Sequence, residues 1–341
     1  MNILKNKFLM NLFEDFKNIY KNLNIDKLTI IKIDIKQEEY LKDNNFTSSN
    51  IKKKILSKLN NSYQITDSNK NTIIYFTSKK NITKIPVIIN HMFTIINLLK
   101  LLFKNNEKQN ITYFETFEKK KLPSKNKILG PNEVNSGLTF LNSHTNGDII
   151  LYRREEVLKV LIHELIHSNL IDYKLIYSNK NKEFSNHFCV NYTILLNEAF
   201  TETFATILNI YYINIYFNFG KKDLNKMILN EIKYSNYISS KILDYYKIDN
   251  INDIIKLNDK CNTTFPQKTN VFSYYILKNI LLTKYDKFTK IYSENNINYK
   301  IINNKFIEDL IHLILSNINL LKIDNVSKDK NKSLKLCFYE I

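Results

Sequence analysis

Apolar side chains crowd Val157 to Ile166, with only Lys159, His163 and Glu164 interrupting them. So dense a run predicts a helix that is apolar on nearly every side, and such a helix is normally buried. A second run, Phe204 to Phe219, continues a helix-like segment that begins near Asn197, and a third follows Pro86 as far as Phe103. From Met1 to Leu23, Leu and Phe recur every three to four residues among Lys, Asp and Glu, which predicts an amphipathic helix. Lys27 to Ile35, Asn71 to Phe76 and Ile111 to Phe117 read as strands, and Ser49 to Leu59 as a helix. Val134 to Leu141 and Asp148 to Tyr152 form a predicted hairpin, with Asn146-Gly147 as a tight-turn signal between them. After Gly220 the pattern is helical, most clearly over Asp223 to Tyr246, Val271 to Leu282 and Lys305 to Ile318.

The polar stretch Lys119 to Pro131 holds two of the four prolines and one of the four glycines, and marks a boundary. Three regions follow: an N-terminal α/β region at 1–128, a central core at 129–219 and a helical lobe at 220–341. The class is α+β. With 341 residues, 44% of them hydrophobic, the chain can bury a sizeable core. Polar residues interrupt the apolar runs too often for a membrane span. The first helix carries too many charges for a secretory signal. Cys189, Cys261 and Cys337 show no metal-ligand spacing and suit a reducing compartment without disulfides, so an intracellular protein is expected.

Composition changes the reading of charge. The net charge is +17, yet Arg153 and Arg154 are the only arginines among 50 basic residues. Dispersed lysine with much Asn and Ile is the mark of an AT-rich genome, such as that of a large DNA virus or a protist. Specific nucleic-acid readers favour Arg for its bidentate fork. The knots Lys52-Lys53-Lys54 and Lys119-Lys120-Lys121 therefore read as solvated surface, and nucleic acid is not the expected partner. Against this drift the only two alanines, Ala199 and Ala205, lie on one predicted helix, where they allow close helix approach.

The chemistry lies in His163-Glu164-Leu165-Ile166-His167, which spends two of only six histidines four residues apart. On a helix, residues i and i+4 share a face one turn apart, so both imidazoles can grip one metal ion. Glu164 projects beside that ion as a base for an attacking water. Catalytic zinc takes three protein ligands and leaves a position open, so a third is needed. Asn197-Glu198-Ala199-Phe200-Thr201-Glu202 supplies acids on a second buried helix. Burying carboxylates without a partner is costly, and a cation would relieve the cost.

This pair of motifs resembles the gluzincins, the thermolysin-like branch of the zinc metallopeptidases, over roughly residues 134–205. The resemblance implies a zincin-like core in which one Zn2+ is held by His163, His167 and Glu198, with Glu164 as general base. It implies that Glu202 orients His163, with Glu where the thermolysin pattern has Asp. The metzincin branch needs Gly and His where this chain has Leu170 and Tyr173. Gluzincins bind peptide along an edge strand, which assigns substrate binding to Ser136 and Gly137; a bulge is the plainer reading of Gly137. They also add an oxyanion donor from the downstream lobe. The candidates are Tyr274, Tyr275, His312 and His187, of which Tyr275 is favoured. The Gly-x-Met-x-Asn element of the aminopeptidases is absent, which points to an endopeptidase acting on peptide or protein. The alternative is a catalytically inactive zinc-binding scaffold or basic interaction protein of a virus-like particle, its metal closed by His187 as fourth ligand.

Overall fold

The structure, a computed structural model, describes residues 6–24, 28–41, 46–124, 127–141, 148–256, 260–301, 303–321, 323–324, 326 and 329–341. The predicted turn at Asn146-Gly147 lies outside them. The fold is mixed α/β. The chain opens with α1 (Lys7–Asn22), capped by the Asn6 side chain and burying Leu9, Leu12, Phe13 and Phe16. Next come β1 (Thr29–Ile33), α2 (Ser49–Lys58), β2 (Asn61–Thr66) and β3 (Thr72–Thr77). Helix α3 (Val87–Leu102) starts directly after Pro86 and leads to β4 (Asn110–Phe114). A single turn, α4 (Pro131–Val134), precedes β5 (Gly137–Phe140) and β6 (Asp148–Leu151). The order of the sheet is β1-β2-β3-β4-β6-β5; β3, β4 and β6 run parallel to one another, and the pairs β1-β2, β2-β3 and β6-β5 are antiparallel.

Strand periodicity divides the core between the faces of this sheet. Ile111, Tyr113, Ile149 and Leu151 join the main cluster, whereas Phe114, Leu138, Ile150 and Tyr152 join Ile51 and Ile55 of α2 in a second one. Behind the main face stand α5 (Val157–Ser168), with every residue buried, and the long α8 (Leu196–Tyr216). The short α6 (Tyr173–Ile176) and α7 (Lys180–Ser185) connect them. Helix α9 (Lys221–Tyr245) follows. A π-helical stretch, Phe272–Leu277, then runs into α10 (Lys278–Thr283). Helix α11 (Tyr285–Glu294), the two-residue strands β7 (Asn296–Ile297) and β8 (Lys300–Ile301), and α12 (Lys305–Leu315) complete the lobe. The main cluster draws side chains from all three expected regions, among them Leu12, Leu161 and Phe306. No helix among the described residues is long and apolar enough to cross a membrane.

Two expectations are corrected. Cys189 and Cys261 form a disulfide across 72 residues, so the cysteine argument for a reducing compartment falls. Sequence spacing could not show the pairing, because it depends on residues 188–190 lying between two distant segments: Phe188 bridges Ile255, and Val190 bridges Phe265. Lys120 is not solvated. It is 1% exposed and donates to the Glu156 carboxylate at 3.0 Å.

Candidate metal centre

Helix α5 places His163 and His167 one turn apart, and α8 packs across it to bring Glu198 opposite. Ala199 and Ala205, both fully buried, keep the α8 surface low where it meets its neighbours. His163 Nε2 lies 3.1 Å from His167 Nε2, and Glu198 Oε2 lies 3.3 Å from the first and 3.5 Å from the second. The outer ring nitrogens are both engaged. His163 Nδ1 faces Glu202 Oε2 at 3.0 Å, and His167 Nδ1 faces Asp172 Oδ2 at 2.7 Å. Carboxylates there favour a proton on Nδ1, which in the neutral imidazole leaves the Nε2 lone pair facing the triangle.

Two imidazole nitrogens and a carboxylate oxygen converging on one point call for positive charge between them. The edges of the triangle suit one: ligand atoms 2.0–2.1 Å from a tetrahedral ion are about 3.3 Å apart. Glu198 Oε2 is buried and makes no well-formed hydrogen bond. Two imidazoles and a carboxylate are a donor set that fits zinc, with a face left open to the cleft.

The charges around the site tell the same story. Burial opposes charge on His167, but the carboxylates of Asp172 and Glu198 outweigh it and hold the imidazole well above its usual range. His163 is raised in the same way, against burial, by Glu198 and Glu202. Burial likewise opposes charge on Glu198, yet the two imidazoles beside it keep its carboxyl well below the normal range. The site demands positive charge, which protons on the imidazoles or a metal ion can supply.

Glu164 has the opposite character. Burial pushes its carboxyl upward, and the nearby imidazoles and the Thr139 hydroxyl only partly offset that. Thr139 Oγ1 donates to Glu164 Oε2 at 2.8 Å, so the edge strand β5 orients the acid. A Cβ on Gly137 would sit 3.0 Å from Glu164 Oε1 and 2.9 Å from Val160 Cγ1. The glycine is therefore needed for the close approach of β5 to α5. Gly137→Ala is expected to lower stability by about 1–3 kcal/mol through overpacking and to displace Glu164; denaturant unfolding and turnover measured on the same preparation check both effects.

Strand β5 ends the sheet among the described residues. Its approach is fixed by Arg153, which is buried and donates to the carbonyls of Asn135 (2.9 Å) and Asn132 (2.5 Å). Ser136 is buried beside the site, its hydroxyl without a partner. A cleft of about 200 Å³ opens over the three donors, walled by Leu138, Thr139, Leu141, Ile176, Asn197 and Tyr274.

Tyr274, not Tyr275, stands at this cleft, its ring 6.0 Å from that of His163. Burial, reinforced by the Glu198 charge, raises the Tyr274 phenol well above its usual range, so it remains a donor. The Tyr275 hydroxyl instead donates to the Leu334 carbonyl at 2.8 Å, which removes it from the cleft. Adjacent residues of one helix face different directions, and sequence alone offers no way to choose between them. His187 and His312 are both exposed, and neither joins the donor group. Asp172, missed in the sequence, lies just past a left-handed Leu170 (φ 56°) that turns the chain back under His167. Asking which acid would hold His167 Nδ1 was the signal that could have found it.

No family model matches the chain, and no solved structure does. The chain is 29% identical over 204 residues to the uncharacterized protein R210 of Acanthamoeba polyphaga mimivirus. The match takes in 55% of this chain and spans about half (51%) of that relative's length.

Proposed function

We propose that this protein is a zinc metallopeptidase of the gluzincin type with a zincin-like core. The observation that carries the reading is the triangle of His163 Nε2, His167 Nε2 and Glu198 Oε2, with a raised, buried Glu164 beside it. When bound, a zinc ion supplies Lewis acidity that makes water acidic near neutral pH and draws charge from a carbonyl oxygen.

The chain's own residues supply the rest. Glu164 takes the proton from water as its oxygen attacks the peptide carbonyl carbon, then passes that proton to the leaving nitrogen as the C–N bond breaks. A raised pKa suits both halves of this transfer. Thr139 keeps the accepting oxygen in place. Tyr274, held protonated, donates toward the oxyanion from the cleft wall. The outer edge of β5 can pair with an extended peptide, and Leu138, Leu141 and Ile176 offer its side chains an apolar surface. An endopeptidase fits a cleft with this open edge.

The scaffold alternative would need a fourth ligand other than His187, which lies outside the donor group. The deciding experiment is zinc content and hydrolysis of an unfolded protein substrate by wild-type protein. About one zinc per chain, with cleavage abolished by chelator and restored by zinc, is expected. Affinity should fall as pH falls, because both imidazoles must shed protons that their carboxylate neighbours favour. Stoichiometric zinc without cleavage would support the scaffold, and wild-type protein free of zinc would end the metal reading.

A further inference from the structure

The two histidines of the triangle are supported differently. Asp172, behind His167, receives a neutral hydroxyl from Thr201 at 3.0 Å. Glu202, behind His163, is instead ion-paired through Oε1 with Lys159, and the two side chains are 1–2% exposed. Lys159 lies one helical turn before His163, so α5 presents lysine and histidine to the same acid. Lys278 approaches the same Oε1 at 3.9 Å and reaches Glu231 at 3.7 Å. Beyond them Glu156 takes Lys120 at 3.0 Å and the amides of Leu336 and Cys337 at 2.6 and 2.7 Å.

Buried ion pairs of this kind add little stability over apolar replacements, because desolvation cancels their attraction. Their worth here must be sought in what Glu202 does. Resting on the zinc reading above, we propose that Lys159 is a positioning residue for His163, acting through Glu202. The ammonium fixes one carboxylate oxygen, so that the other is placed to accept the His163 Nδ1 proton and aim Nε2 at the metal. Without Lys159 the acid would stand in the interior with only the more distant Lys278. Its carboxylate would then be free to turn, and the bond to His163 would weaken.

The test is a double-mutant cycle on zinc affinity, read by chelator competition, with Lys159→Met, Glu202→Gln and the double variant. Outer partners of ligand histidines are worth about 10- to 100-fold in affinity, and Lys159→Met is expected to lose that much. In the Glu202→Gln background the same change should alter affinity by no more than about 2-fold, the scatter of independent sites. Equal or tighter zinc binding by Lys159→Met overturns the inference, even if the metal-free protein melts lower, because that pattern marks a purely structural lysine. Additive losses in the double variant overturn it too. Should Lys159→Met alone not fold, comparing Glu202→Gln with the double variant still decides: a further large loss means that Lys159 does not act through Glu202. Wild-type protein without zinc overturns the metal reading and this inference together, whereas zinc in the wild type with failure of the cycle overturns this inference alone.

Discussion

Glu164→Gln is expected to lower peptide hydrolysis by about 10²- to 10⁴-fold, the usual contribution of a positioned general base, while leaving zinc content unchanged. The amide keeps the shape of the side chain and can still meet the Thr139 hydroxyl, but it cannot accept the water proton. The proposed metal donors are His163, His167 and Glu198, so nothing that would hold the ion is removed. Glu164 is 5% exposed and held above the ordinary carboxyl range by burial, so the isosteric change also removes a costly buried charge. Stability should therefore hold or rise. Zinc analysis, melting temperature and turnover on one preparation separate these effects. Retained turnover would dismiss Glu164 as the base, and loss of zinc would mean that it belongs to the donor set.

The second large effect concerns the disulfide. Cys189 and Cys261 close a loop with a sequence separation of 72, which loop entropy values at about 4 kcal/mol as an upper figure. Reductant should lower the denaturant midpoint of wild-type protein and leave the Cys189→Ser/Cys261→Ser pair unmoved at the lower value. Cys189 lies in the connection from α7 to α8, between the histidine helix and Glu198, and its backbone is held by Ile254 and Phe265. Reduction should thus loosen the approach to α8 before it loosens α5, and hydrogen exchange resolved along the chain would show that order. A midpoint indifferent to reductant would mean that the cystine does not form.

Much of this architecture was legible because the decisive elements are extreme. Helix α5 is apolar on nearly every side, so His163, Glu164 and His167 announced themselves as chemistry, and all three proved buried. The edge strand was legible from the pattern of Val134 to Leu141, although it begins only at Gly137, and Asn135 and Ser136 lie between α4 and the strand. Strand β2, Asn-Ser-Tyr-Gln-Ile-Thr, escaped notice because its polar residues hide the alternation and its position between β1 and β3 supplies the pairing. Features set by long-range packing stayed out of reach: the Cys189–Cys261 pair, the preference for Tyr274 over its neighbour, and the burial of Lys120. Asp172 belongs with them, since five residues past His167 is not a helical spacing, and only the turn at Leu170 brings it back.

One of these contacts has a consequence for biosynthesis. Glu156 sits at the start of α5 with a left-handed backbone (φ 59°), and its buried carboxylate is satisfied by Lys120 and by amides at positions 336 and 337. Those amides leave the ribosome some 180 residues after the acid they satisfy. Until they arrive, the nascent histidine helix carries an under-satisfied charge at its entrance. The entrance of α5, the helix that carries the proposed metal donors, is therefore completed only once residues 336 and 337 have been added.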